Sequence, residues 1–276
     1  MEYADAPIRA ELEIVKVDAD GEEMPVAGAE YCVKAAEDIV TGDGTLRIAE
    51  GEIVGYVTTD EDGCAAIEDL YLGRYTVYET KSPEGWALDT EEHLIDIESQ
   101  GQTVPVVVEN LTLADEATAL RLLKVSADDP DAVLEGAVFR IHEVITEESG
   151  EGIEYKDAEG GFDGEYTTDE NGIIAIDHLP HGLFLIEEIQ APAGYVIDLE
   201  AQPIAFEVDD QGFIGLAEEG AQFSDTLEVA IPNVPIKLDI SKTDLTTGVE
   251  LEGASLVLAD KDGNVVDEWV STTEPH

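Results

Sequence analysis

Three polar residue types recur in this chain on strand faces that are otherwise apolar. By two-residue alternation Leu12, Ile14 and Lys16 share a face, as do Leu120, Leu122 and Lys124. Tyr75, Val77 and Glu79 share another, echoed by Phe184, Ile186 and Glu188; Glu188 rather than Glu187 has the inward parity and the matching offset to a later proline. Val106, Val108 and Asn110 make a third set, echoed by Val229, Ile231 and Asn233. A further copy of the lysine pattern, Leu238, Ile240 and Lys242, puts three of the chain's eight lysines at one repeated place, which argues against chance. An unpaired charge among core side chains is costly, so lysine, glutamate and asparagine must serve one another.

Two outcomes fit such a trio. One is a buried Lys–Glu ion pair with the asparagine as a hydrogen-bonding neighbour. The other is covalent. Burial lowers a lysine's pKa and raises a glutamate's, leaving a neutral amine, which is a nucleophile, beside a protonated carboxyl that can polarise the asparagine carbonyl and move protons. Folding holds amine and amide together, so the reaction is unimolecular. Its product is an amide between the two side chains, with ammonia lost. Lys16 and Lys124 are then the nucleophiles, Asn110 and Asn233 the acceptors, and Glu79 and Glu188 the acid/base groups; Lys242 is a nucleophile without a partner.

The elements that must position these groups form a repeat. Glu11–Asp18 recurs at Ala119–Ser126 and at Lys237–Asp244, and each copy is followed by a Gly-Ala pair, at Gly28, Gly136 and Gly253. Thr58-Thr-Asp-Glu-Asp-Gly63 matches Thr167-Thr-Asp-Glu-Asn-Gly172. Each glutamate strand then leads into Pro-x-Gly-aromatic, ending at Trp86 and Tyr195, which packing under the turn explains. Between glutamate and asparagine the second copy is longer, which reads as an extra hairpin at Phe206–Phe213. Period-two runs separated by Gly, Asp and Asn turns predict all-β antiparallel sandwiches in tandem. The predicted domains are 11–113 and 119–236, joined by a linker at 114–118. Residues 1–10 are a linker or the end of a preceding domain, and 237–276 are the truncated start of a third, expected to be uncrosslinked and only marginally ordered. Short linkers predict end-to-end stacking into a rod.

Taken together, the lysine in the first strand, the Gly-Ala pair, the glutamate four residues before Pro-x-Gly-aromatic and the closing asparagine resemble the Cna-B/SpaA-type domain of Gram-positive adhesins and pilins. The resemblance covers nearly the whole chain. It implies a prealbumin-like, reversed-immunoglobulin sandwich with an autocatalytic intramolecular isopeptide bond, and a stalk segment of an extracellular, cell-wall-anchored protein. The partners it implies are further repeats and an adhesive tip domain of the same parent chain, with host extracellular-matrix or cell-surface proteins beyond. A Tyr-Pro-Lys polymerisation motif and a Leu-Pro-x-Thr-Gly sorting signal do not occur in these residues, which favours a tandem-repeat stalk over a polymerising shaft pilin.

Charge narrows the alternatives. With 65 Asp plus Glu against 13 Lys plus Arg, the net charge is −52. Such a surface repels nucleic acid and anionic membranes, while 43% hydrophobic residues is a folded chain's share. An acidic module that itself binds a basic host protein is the alternative function; an enzyme acting on an external substrate is weaker, because the reactive groups are buried and self-consuming. No cofactor is expected. Cys32 and Cys64, both read as outward-facing, are two unpaired thiols or a surface disulfide between neighbouring strands. The turns at Asp18–Gly21, Asp60–Gly63 and Asp260–Gly263 lack the spaced ligands of a calcium loop and read as hairpin turns. The five histidines have no zinc spacing, so no metal is expected.

Overall fold

A computed structural model describes residues 7–19, 24–101, 106–149 and 152–276. Residues 1–6 of the expected leading segment and part of the Asp18–Gly21 turn lie outside the described residues. The described secondary structure is strand throughout, without helix. Both sandwiches lie in one compact unit, Ile197–Val234 together with the chain up to Ala193; residues 194–196 and 235–276 form a second.

The first sandwich contains β1 (Arg9–Asp18), β2 (Glu30–Ala35), β3 (Ile39–Val40), β4 (Leu46–Ile48), β5 (Ile53–Thr58), β6 (Cys64–Tyr71), β7 (Gly73–Lys81), β8 (His93–Ile97) and β9 (Val106–Asp115). One sheet has the order β6-β1-β9, the other β5-β2-β7-β8. β1 is antiparallel to β6 and parallel to β9, so the first and last strands of the repeat are hydrogen-bonded neighbours. The alternation read in β1 and β7 is observed. Leu12, Ile14, Tyr75 and Val77 are fully buried in one core with Tyr31, Val33 and Ile97.

The second sandwich repeats the plan. It contains β10 (Ala119–Ser126), β11 (Val138–Ser149), β12 (Gly152–Asp157), β13 (Asp163–Thr167), β14 (Ile173–Ile176), β15 (Gly182–Gln190), β17 (Ile204–Val208), β18 (Ile214–Leu216) and β19 (Thr226–Pro235); the two-residue β16 (Tyr195–Val196), between β15 and β17 in the chain, falls in the second unit. β10 lies between antiparallel β14 and parallel β19. The facing sheet has the order β12-β11-β15-β17-β18, with β13 also paired to β11. The expected hairpin is the β17–β18 pair, which stands where the first sandwich has β8 alone.

The shared Thr-Thr-Asp motif has a structural task in both copies. Thr59 Oγ1 accepts from Ala29 N–H at 3.0 Å and donates to the Val26 carbonyl, and Thr168 does the same for Ala137 and Leu134. The motif's glycine then meets the lysine strand: Lys16 N–H donates to Gly63 O and Lys124 N–H to Gly172 O, each at 2.8 Å. Both glycines have positive φ, and a Cβ there would lie 2.5 Å from Lys16 O or 2.7 Å from Lys124 O. The turn thus fixes the backbone at the lysine itself.

β9 extends to Asp115, so the linker expected at 114–118 is only residues 116–118, and they are held on both sides. Ala87 N–H donates to Glu116 O and Thr118 N–H to Gly85 O, both at 3.0 Å, while Thr118 Oγ1 donates to Gly212 O at 2.7 Å. Trp86 packs on His178 of the second sandwich, ring centroids 4.5 Å apart. Its role is therefore wider than packing under its own turn.

In the C-terminal unit β20 (Ser255–Ala259) and β21 (Val265–Val270) make a lone hairpin. The expected strand at 237–242 does not form. Leu238 is 65% exposed and Lys242 is also exposed. The physical reason is the missing pairing. In each sandwich the lysine strand is hydrogen-bonded on both edges, whereas no described strand flanks 237–242.

Candidate functional site

The second sandwich brings its three predicted residues into mutual contact. Lys124, on β10, is fully buried, and its Nζ donates to Asn233 Oδ1 at 2.7 Å and to Glu188 Oε2 at 3.0 Å. Asn233 Nδ2 donates to Glu188 Oε1 at 2.6 Å, closing a triangle. Register explains the meeting. Lys124 pairs with Ile231 across the parallel ladder, so Asn233 is the next residue of β19 on the same face, and the long lysine side chain spans that step. Glu188 projects from the facing sheet, where Gln202 Nε2 donates to its Oε2 at 3.3 Å. The Phe139 ring lies 5.6 Å from Lys124 Nζ. Burial in these surroundings pushes the Lys124 amine below its usual pKa, against the opposing pull of Glu188.

The first sandwich corrects one expected residue. Lys16 and Glu79 are buried, but Asn110 is exposed on the opposite side of β9. In its place Asp115 is buried and accepts a hydrogen bond from Lys16 Nζ. The run of three valines admits two phases, and the structure takes the one shifted by a residue from that expected. Val107 is 1% exposed, whereas Val106 and Val108 are 47% and 41% exposed, so the buried series continues through Leu113 to Asp115. Lys16 pairs with Leu113, and Asp115 stands two residues beyond, the same step that separates Ile231 from Asn233. Continuing the alternation through Leu111, Leu113 and Asp115 was the sequence signal that could have found it.

Glu79 Oε2 accepts from Asp89 N–H at 2.8 Å. Desolvation, and then the charge of Asp115, push its carboxyl up to about 8. Burial raises the Asp115 carboxyl as well, against the Lys16 ammonium, which holds it down. Two carboxyls and one ammonium in a dry site leave room for one proton on the carboxyl pair, and burial favours retaining it. Asp89 and Gln202, the groups that hold the two glutamates, carry no sequence pattern and were not anticipated.

The remaining candidates separate from these sites. Cys32 lies on the outer face of β2, between the core residues Tyr31 and Val33, but is buried there between its cross-strand neighbours Tyr56 and Tyr78. Cys64 is exposed on β6 of the other sheet, and both thiols are free, so no disulfide joins neighbouring strands. The aspartates of the described turns serve backbone. Asp60 Oδ1 accepts from Asp62 N–H and Cys64 N–H, and Asp260 Oδ1 accepts from Asp262 and Asn264 N–H. Among the described residues no group of three or more His, Cys, Asp and Glu is placed to hold a metal ion. No described helix is long and apolar enough to cross a membrane.

Two sandwiches, each with its first and last strands side by side and a buried lysine aimed at the last, define a tandem prealbumin-like architecture. The chain belongs to the SpaA family of prealbumin-like fold domains, whose model matches residues 10–112 and again 118–219. Among solved structures it is similar to the Bacillus anthracis TIE protein, at 23% identity and TM-score 0.38, over 98% of this chain and 42% of that one. A streptococcal ancillary pilin is 21% identical with TM-score 0.32, over 83% of this chain and 63% of that one. The shaft pilin SpaA of Lactobacillus rhamnosus GG is 13% identical with TM-score 0.33, over 84% of this chain and 99% of that one. The chain thus spans less than two thirds of the first two proteins. No curated protein matches the sequence.

Proposed function

We propose that the chain is a load-bearing stalk segment of a Gram-positive surface protein whose two sandwiches each form an intramolecular isopeptide bond. The observation that carries this reading is the closed triangle of Lys124, Glu188 and Asn233 in a core that excludes water. Glu188 faces the amine with one oxygen and the amide nitrogen with the other. Lys124 Nζ attacks Asn233 Cγ, a proton passes from the amine to Glu188 Oε2, and Glu188 returns a proton from Oε1 to the departing nitrogen. A C–N bond forms, the original C–N bond breaks, and ammonia leaves. Fixing both partners before reaction supplies the entropic advantage of an intramolecular step.

In the first sandwich the same attack falls on a carboxyl, so Lys16 and Asp115 condense with loss of water, and Glu79 carries the proton. Each bond joins adjacent parallel strands at opposite ends of a repeat, across 109 residues in the second sandwich and 99 in the first. A force that pulls the repeat from its ends then meets a covalent bond before the sheet can unzip. The unfolded chain is also constrained, which by analogy with disulfides closing loops of that size stabilises by about 4–5 kcal/mol.

Intact mass tests the proposal. The folded chain should weigh about 35 Da less than its sequence, roughly 17 Da for ammonia and 18 Da for water, a change the sequence does not encode. Peptide mapping should then recover Lys16 joined to Asp115 and Lys124 joined to Asn233. An unreduced mass would leave two buried ion-pair networks and no crosslink.

A further inference from the structure

The extra hairpin of the second sandwich has a use outside that sandwich. Its turn, at residues 209–213 between β17 and β18, is set by Asp209, whose Oδ1 accepts from Gln211 and Phe213 N–H at 2.9 Å. The turn lies against the first sandwich. Gly212 has a φ of +79°, and a Cβ there would lie 1.9 Å from Trp86 O, so only glycine permits the approach. Two fully buried hydroxyls secure it: Thr118 Oγ1 donates to Gly212 O at 2.7 Å and Ser82 Oγ to Gln211 O at 3.2 Å.

Three consecutive amides of the first sandwich show what this contact fixes. Ala87 N–H donates to Glu116 O at 3.0 Å, Leu88 N–H to Gln211 O at 2.9 Å, and Asp89 N–H to Glu79 Oε2 at 2.8 Å. The first bond holds the residue next to Asp115, the second reaches into the other sandwich, and the third holds the acid/base glutamate. One short segment therefore ties acceptor, glutamate and hairpin together. Beyond it the Asp89 carboxylate accepts from Glu91 N–H and bonds His93 Nε2, both at 2.8 Å, and the hairpin supplies the tie on the Leu88 side. In the second sandwich Glu188 is held from within, since Gln202 accepts from its backbone N–H and donates to its carboxylate.

We infer that the second sandwich positions the first one's site: its hairpin turn, through Gln211 and Gly212, fixes the backbone of Leu88 and Asp89 that holds Glu79. This rests on the isopeptide reading. The Lys124–Asn233 bond then needs only its own sandwich, whereas the Lys16–Asp115 bond reaches its full rate only after the second sandwich has folded and docked. The dependence is on that fold and not on its crosslink, so Lys124→Ala still permits the first bond.

The test follows bond formation in the full chain made by pulse-labelled cell-free synthesis, quenched in acid at intervals, with both cross-linked peptides quantified by mass. Gly212→Ala should slow the Lys16–Asp115 condensation by about tenfold or more while the Lys124–Asn233 bond forms on schedule. Gly220→Ala is the control. Its φ is +84° with open space around it, so it carries the backbone strain without the clash and should change either rate by less than about twofold. A pH profile separates positioning from general weakening. Lys16, Tyr31 and Asp115, which face Glu79 from three strands, are untouched in Gly212→Ala, and only the Asp89 amide is displaced. That amide holds the Glu79 carboxyl down, so the pH at which the rate stops rising, about 8 in the unaltered chain, should move upward. Thr118→Val removes only the hydroxyl that holds Gly212, and it decides the case in which Gly212→Ala delays both bonds; it should slow the first bond alone, by about threefold or more. No slowing of the first bond in Gly212→Ala, a delay of both bonds in Thr118→Val as well, an equal slowing in Gly220→Ala or an unshifted pH profile would overturn the role of the hairpin and leave the crosslink reading intact. An unaltered chain that never loses the water would overturn both.

Discussion

The two sandwiches place the same kinds of buried group in the same geometry and surround them differently. In each, the lysine strand lies parallel to the last strand, the acceptor stands two residues past the lysine's ladder partner, and a glutamate reaches over from the facing sheet. Yet one acceptor is Asp115 beside Tyr31, with Glu79 held by the Asp89 backbone, and the other is Asn233 beside Phe139, with Glu188 held by Gln202. Backbone register decides where the acceptor is, and under the proposed reaction its side chain decides what would leave. Neighbouring donors must change with it, because a dry core tolerates few unmatched polar atoms. The C-terminal unit gives the contrast. It has the lysine at Lys242 but no flanking strand among the described residues, and the lysine is exposed.

The comparison breaks most sharply at the nucleophiles. Lys16→Ala and Lys124→Ala should each abolish only their own bond, because the two cores are separate clusters. Each variant should also lose on the order of 4 kcal/mol from its own sandwich through the missing crosslink, and Lys16→Ala leaves two buried carboxyls without their cation. Calorimetry of the full chain alongside intact mass reads both effects. If Lys16→Ala also erased the ammonia loss of the second sandwich, the two sites would not be independent reactors.

A smaller effect separates the sites by pH. Condensation of an amine with a carboxyl needs the proton that Glu79 retains, and that carboxyl titrates at about 8 in the folded chain. Its pKa is raised, so the protonated form prevails below that value and is lost as pH rises through it. The protonated fraction of Glu79 falls about tenfold for each unit above it and offsets any gain in neutral amine, so the rate of Lys16–Asp115 bond formation should stop rising with pH above about 8. Time courses at several pH values between 6 and 10 would check this. A rate that kept rising steadily with pH above about 8 would show that Glu79 does not carry the proton.

Much of this was legible in the residues. Lys16, Glu79, Lys124 and Glu188 stand in strands that alternate cleanly, so parity alone puts their side chains among apolar neighbours, and the fold class follows from the same periodicity and the turns. Asn233 was readable because Val229 and Ile231 precede it at the right spacing. Asn110 misled because Val106–Val108 offers either phase, and a one-residue slip moves every side chain of a strand to the other face. Cys32 misled differently. Its parity was outward, but two cross-strand tyrosines cover it, and such cover depends on pairing rather than on local pattern. Asp89 and Gln202 were invisible for a similar reason, since each is defined by its contact with a glutamate rather than by local pattern.

The smallest expected effect is the most discriminating one for register. Asn110 is exposed on β9, paired in the ladder through its backbone to Glu13 and directed away from Lys16. Asn110→Ala should leave the mass deficit unchanged and shift stability by no more than about 0.5 kcal/mol, as exposed substitutions usually do. Asp115→Ala, five residues further along the same strand, should remove the water loss altogether. The pair of variants asks one question of one strand, which phase of β9 faces the core. Loss of the first-sandwich bond on Asn110→Ala, with Asp115→Ala silent, would reverse the phase and with it the assignment of water as the leaving group.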